Sequence, residues 1–139
     1  MSYSQSTISA SDGISLFLRQ WQPDDEPRAV LVLVHGLGEH AGRYPHLVET
    51  LLPQGYAVFG HDHRGFGSSG GRRGDLARFQ DLIADLDQIV DLAREQHPAL
   101  PVAMYGHSMG GVIATQYLAE HQDKIDAAVI SAPGFAPGP

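Results

Sequence analysis

The six residues Ala29–Val34 read AVLVLV, without one polar side chain. A strand with a solvated face alternates apolar and polar residues, so an unbroken aliphatic, β-branched run fits a strand covered on both faces. That is the place of a central strand in a parallel sheet. The rest of the chain must then supply neighbouring strands and the helices that cover them. The 139 residues, 42% hydrophobic and without cysteine, match a single globular domain free of disulfides and thiolate metal sites.

The remaining segments fit that demand. Residues 14–20 (ISLFLRQ) mix apolar and polar side chains as an outer strand does, and residues 6–9 form a short partner across the Asp12-Gly13 turn. Residues 44–52 predict a short helix, with Pro45 in its first turn, Leu47, Val48, Leu51 and Leu52 on one face, and Gly55 ending it. Residues 56–60 are the next strand, and residues 65–74 are a Gly- and Arg-rich loop without periodicity. Over residues 79–97, Phe79, Leu82, Ile83, Leu86, Ile89, Val90 and Ala93 recur at helical spacing, and Pro98 stops the pattern. A strand at 102–105, a helix at 109–120, a strand at Ala127–Ser131 and a terminal loop at 133–139 complete the chain. Strands alternating with helices predict an α/β fold, a mostly parallel sheet with helices on both faces.

Charge and hydropathy narrow the partners. Sixteen acidic against nine basic residues give a net charge of -7, which repels nucleic acid. The aliphatic runs are too short to span a bilayer, and the first 13 residues have neither the basic nor the apolar region of a secretory signal, so a cytoplasmic location is expected.

The residues that carry chemistry are Gly106-His107-Ser108-Met109-Gly110. A G-x-S-x-G pattern is weak by itself, but here it follows a predicted strand and opens a predicted helix, the setting of a nucleophile elbow. The sharp turn lifts the Ser108 hydroxyl above the sheet, Gly106 and Gly110 leave room for neighbouring backbone, and the Met109 amide at the helix start can donate to an oxyanion. His107 leaves the turn in another direction and is no base for Ser108. A second oxyanion donor belongs in the loop after the central strand, where Gly36 and Gly38 in His35-Gly36-Leu37-Gly38 allow a turn that presents the Leu37 amide. His35, Glu39 and His40 either contact substrate at the pocket mouth or pack the loop.

Together with Gly42-Arg43-Tyr44 and the stretch from His61-Asp62-His63-Arg64 to Gly70, these motifs resemble the monoacylglycerol lipase and lysophospholipase branch of the α/β-hydrolases, in the same order and from about Ile14 to Pro133. The resemblance implies Ser108 as nucleophile, the Leu37 and Met109 amides as oxyanion hole, a carboxylic ester of a glycerol lipid as substrate, no cofactor, and a structural role for Asp62 to Gly70.

The same resemblance exposes a shortfall. The family order places the triad acid and histidine after the serine. After Ser108 come only His121, Glu120, Asp123 and Asp126, and His121 lies about 20 Å along the helix that Ser108 begins. We therefore expect one partial domain over residues 1–139, truncated after the sixth strand, without lid, last strands or complete triad, and inactive alone. Its last strand would be exposed, favouring self-association. Two other classes are a non-catalytic interaction module and a dinucleotide-binding domain. For the latter, Gly36, Gly38 and Ala41 fit G-x-G-x-x-A and Asp62 ends the next strand, but Pro45 starts the helix too late and Ser108 goes unexplained. His61 and His63, which would share a strand face with Asp62 between them, suggest a metal, yet lack a third ligand, so the expectation is no metal.

Overall fold

A computed structural model describes residues 1–75 and 78–133. Six strands, β1 (Ser2–Ser9), β2 (Ser15–Gln22), β3 (Ala29–Val34), β4 (Tyr56–His61), β5 (Val102–His107) and β6 (Ala127–Ser131), form one sheet in the order β1-β2-β4-β3-β5-β6. Strands β3 to β6 run parallel, and β1 and β2 add an antiparallel edge. Three helices, α1 (Pro45–Leu51), α2 (Phe79–Gln96) and α3 (Met109–His121), cover it. The loop expected at 133–139 lies, beyond Pro133, outside the described residues.

The strand order decides where the helices go. From β3 the chain steps one way to β4, then returns past β3 to β5 on its other side. Right-handed crossovers in opposite directions put their helices on opposite faces of the sheet. Val30, Val32 and Val34 accordingly pack with Leu82, Ile83, Leu86, Ile89 and Val90 of α2 and with Ile113 and Tyr117 of α3. Leu31 and Leu33 turn to the other face and pack with Val48 of α1 and with Leu52. This two-sided burial is why β3 carries no polar side chain.

The hairpin corrects one expectation. β1 is not confined to residues 6–9 but pairs with β2 from Ser2↔Gln22 to Ser9↔Ser15. Its side chains are exposed apart from a half-buried Ile8, so no apolar alternation marks its length and backbone hydrogen bonds hold it. β4 and β5 run one and two residues further than the apolar pattern suggested, because their last residues, His61 and His107, are polar. His63 therefore lies beyond the strand, not on a strand face shared with His61.

Arg64 locks the hairpin and the β4–α2 loop to the helix. Its guanidinium donates to both oxygens of Asp85 at 2.7 and 2.8 Å and to Asp12 in the hairpin turn at 2.7 Å. Burial raises the Asp85 carboxyl and the Arg64 partner opposes that.

Candidate active site

The reversal of direction at β3 leaves a crevice at the carboxyl ends of β3 and β5, where ligands bind in sheets of this kind. Ser108 stands at the end of β5 with φ 56° and ψ -120°, a left-handed geometry that side chains other than glycine rarely adopt. It is held there from three sides. Its amide donates to Ser131 O of β6 at 2.9 Å, and its carbonyl accepts from Gly111 N at 2.9 Å in the first turn of α3. A Cβ on Gly106 would lie 2.5 Å from Gly110 O, and one on Gly110 would lie 2.1 Å from Val34 O, so both glycines are steric requirements of the turn.

The loop after β3 closes over the serine. A Cβ built on Gly36 would sit 3.3 Å from Ser108 Cβ and 3.2 Å from His107 O, which places the start of the Gly36-Leu37 peptide beside Ser108. The Gly36 amide is occupied, donating to Glu39 Oε1 at 2.6 Å, and Tyr44 donates its hydroxyl to the same oxygen. The Gly36 carbonyl is occupied as well, accepting from His35 Nδ1 at 2.7 Å. In a trans peptide the next N–H points opposite to that carbonyl, so Leu37 N–H is turned away from the His35 ring. Leu37 is 61% exposed and Gly38 completes the turn with φ 72°. The Met109 amide lies in the first turn of α3, whose N–H groups have no carbonyl four residues back.

Two buried histidines, His35 and His63, support this loop, and His61 packs edge-on against His63. His35 Nε2 accepts the His63 backbone N–H at 2.9 Å, and His63 Nε2 donates to His35 O at 2.9 Å, so His35 carries its proton on Nδ1 and His63 on Nε2. Burial pushes His35 and His61 down to about 3 and His63 well below the usual histidine value, keeping all three neutral. The Asp62 carboxylate, fully buried, is taken up by Arg19 and by the amides of Ala41 and Ser68. A ribose hydroxyl has no access to it. The dinucleotide reading fails on a second count, because a 3-10 turn at Ala41–Arg43 separates Gly38 from α1. Among the described residues no group of three or more His, Cys, Asp or Glu side chains is arranged to hold a metal ion.

Two histidines near the serine in sequence do other work. His107 Nδ1 lies 3.2 Å from Ser131 Oγ, and its ring meets Tyr44 edge-on. His121, at the far end of α3, packs on Tyr117 with ring centroids 4.8 Å apart, near Asp87. The structure brings together the motif glycines, Ser108, Leu37, Met109 and His35 that the sequence singles out. The convergence of Gly36 N and the Tyr44 hydroxyl on Glu39 Oε1 does not show in the sequence, where Glu39 is expected only to contact substrate or to pack the loop.

The family profile described as serine aminopeptidase, S33, matches residues 25–139. The chain belongs to that family. Among its S33 relatives, a monoacylglycerol lipase of Mycolicibacterium smegmatis is 39% identical over 94% of this chain and 46% of its own length. The monoglyceride lipase of Homo sapiens is 41% identical over 88% of this chain and 41% of its own. A thermostable carboxyl esterase of Bacillus coagulans, solved in complex with glycerol, superposes with a TM-score of 0.83 at 30% identity, over 92% of this chain and 43% of that one. The S33 chain thus has the α/β-hydrolase fold and spans less than half the length of these relatives. Among the described residues no helix is long and apolar enough to cross a membrane.

Proposed function

We propose that these 139 residues carry the nucleophile half of a serine hydrolase acting on carboxylic esters of glycerol lipids, of the monoacylglycerol lipase or lysophospholipase type. The observation that carries this reading is Ser108 at φ 56°, with the start of α3 beneath it and the Gly36-Leu37 peptide against it. In the proposed reaction Ser108 Oγ attacks the ester carbonyl, the Leu37 and Met109 amides receive the developing oxyanion, and the alcohol leaves with a proton. Water then hydrolyses the acyl-serine, and no cofactor is needed. The ester preference follows the lipase and esterase relatives rather than the aminopeptidase description of the family. A cytoplasmic location and a single partial domain over residues 1–139 belong to the same proposal, and cell fractionation checks the location.

Serine attack needs a base, and among the described residues no histidine or carboxylate is hydrogen-bonded to Ser108. Loss of a triad leaves about 10³ to 10⁴ over water from the oxyanion hole and binding. The chain alone should therefore react slowly with a fluorophosphonate, and added imidazole should restore the missing proton acceptor. Mass mapping should find the phosphonyl group on Ser108 rather than on the other nine serines. Selective, imidazole-dependent labelling supports the proposal. Unselective labelling in imidazole removes the nucleophile, and rapid labelling without imidazole removes the claim that a base is missing.

A further inference from the structure

We propose that Glu39, held by Tyr44, is a positioning residue that fixes the Gly36-Leu37 peptide beside Ser108; this rests on the serine hydrolase reading above. The contacts form a chain from one strand end to the other. Tyr44 lies between a 3-10 turn and α1, with its ring edge-on to Tyr105 and His107 of β5 at centroid distances of 6.3 and 6.4 Å. Its hydroxyl donates to Glu39 Oε1, and that oxygen also receives the Gly36 amide. The segment after β3 is thereby tied to the strand that carries the nucleophile.

The tie selects which amide is left over. Gly36 is buried and has no side chain to anchor it, so its own hydrogen bonds set its rotation within the space that Ser108 and His107 leave. With its N–H given to Glu39 and its carbonyl to His35, the next unclaimed donor in the loop is Leu37 N–H. Without Glu39, the Gly36 amide is a buried donor in need of an acceptor, and the peptide is free to turn. A carboxylate so near a developing oxyanion would oppose it. Oε1 is instead shared by two donors, and Tyr44, pushed up by burial and then by Glu39, stays protonated.

The test compares Glu39→Ala, Glu39→Gln and Tyr44→Phe with the parent chain by two readouts. In fluorophosphonate labelling of Ser108 with imidazole present, Glu39→Ala should slow the reaction by about 10- to 100-fold, the scale of a misplaced or lost oxyanion donor. Glu39→Gln keeps an acceptor oxygen and should recover most of the rate, and Tyr44→Phe should fall between. In hydrogen exchange, the Gly36 amide should lose protection in Glu39→Ala and keep it in Glu39→Gln. A Glu39→Ala rate within twofold of the parent overturns the proposal. So does a Glu39→Gln variant as slow as Glu39→Ala, or a Gly36 amide whose exchange ignores residue 39. If Glu39→Ala fails to fold, the milder two variants decide on the same measures. If the parent is not labelled at Ser108, the hydrolase reading falls with this one, whereas labelling that ignores Glu39 removes only the positioning role.

Discussion

Ser108 is held in a backbone geometry that costs about 1 to 3 kcal/mol for a residue with a side chain. Replacing it with glycine should return part of that cost, so Ser108→Gly should raise the thermal midpoint by several degrees, while Ser108→Ala should leave it near the parent value. Equal midpoints for the two variants would show that the turn is unstrained. The buried histidines predict a pH dependence. Their folded-state pKa values lie below the unfolded value of 6.5, at about 3 for His35 and His61, so the unfolded chain binds more protons in acid. Stability is fully present above about pH 6.5 and falls as the pH drops toward 3, by up to about 1.4 kcal/mol per pH unit for each histidine. The residues facing them include Arg19, His40 and Asp62. Both ring nitrogens of His61 are buried without a partner, so His61→Leu loses no hydrogen bond and should flatten the slope by one proton. Urea midpoints measured between pH 7 and 4 check this. An unchanged slope would mean that His61 does not titrate on unfolding.

Among the elements, α2 and β3 were readable because one physical constraint dominates each. α2 must present one apolar stripe to the sheet, and Leu82, Ile83, Leu86, Ile89 and Val90 do so in register, whereas β3 must be apolar throughout. β1 was underestimated because, apart from Ile8, its side chains are exposed and carry no apolar pattern. The site divides along the same line. The Gly106–Gly110 turn is local, so its spacing showed in sequence. The contacts of Glu39, Tyr44 and Gly36 depend on β3 and β5 lying side by side, which no short stretch of sequence encodes. The junction of hairpin, loop and α2 is likewise a tertiary product. Arg64 is the counterion of an Asp85 side chain only 2% exposed, so Arg64→Ala should destabilise the fold by about 3 kcal/mol through the charge left behind. Adding Asp85→Leu to that variant should recover much of the loss. Denaturant unfolding of the single and double variants checks it, and equal loss in both would assign the effect to packing instead.

For the whole molecule, the sheet is asymmetric. Both edge strands pair on one side only among the described residues, but β1 is long and mostly polar, whereas β6 is short and aliphatic. Val129 is 58% exposed, and with Leu47, Leu51, Tyr56, Ala103 and Tyr105 it lines an apolar cleft beside α1. An unprotected edge of this kind recruits other strands. The self-association expected from sequence should appear as concentration-dependent oligomers in light scattering, and Val129→Lys should return them to monomers. A parent chain that stays monomeric at high concentration would show the edge to be inert.

The bond from Ser108 N to Ser131 O gives that edge a second meaning. The strand at the margin of the sheet holds the backbone of Ser108, and the His107 ring meets the Ser131 hydroxyl from the neighbouring position. A shift of β6 by one residue would exchange the carbonyl that fastens Ser108, so the register of the margin is coupled to the geometry of the turn. The hairpin at the opposite margin is tied to the loops instead, through Arg19 to the buried Asp62 and through Asp12 to Arg64.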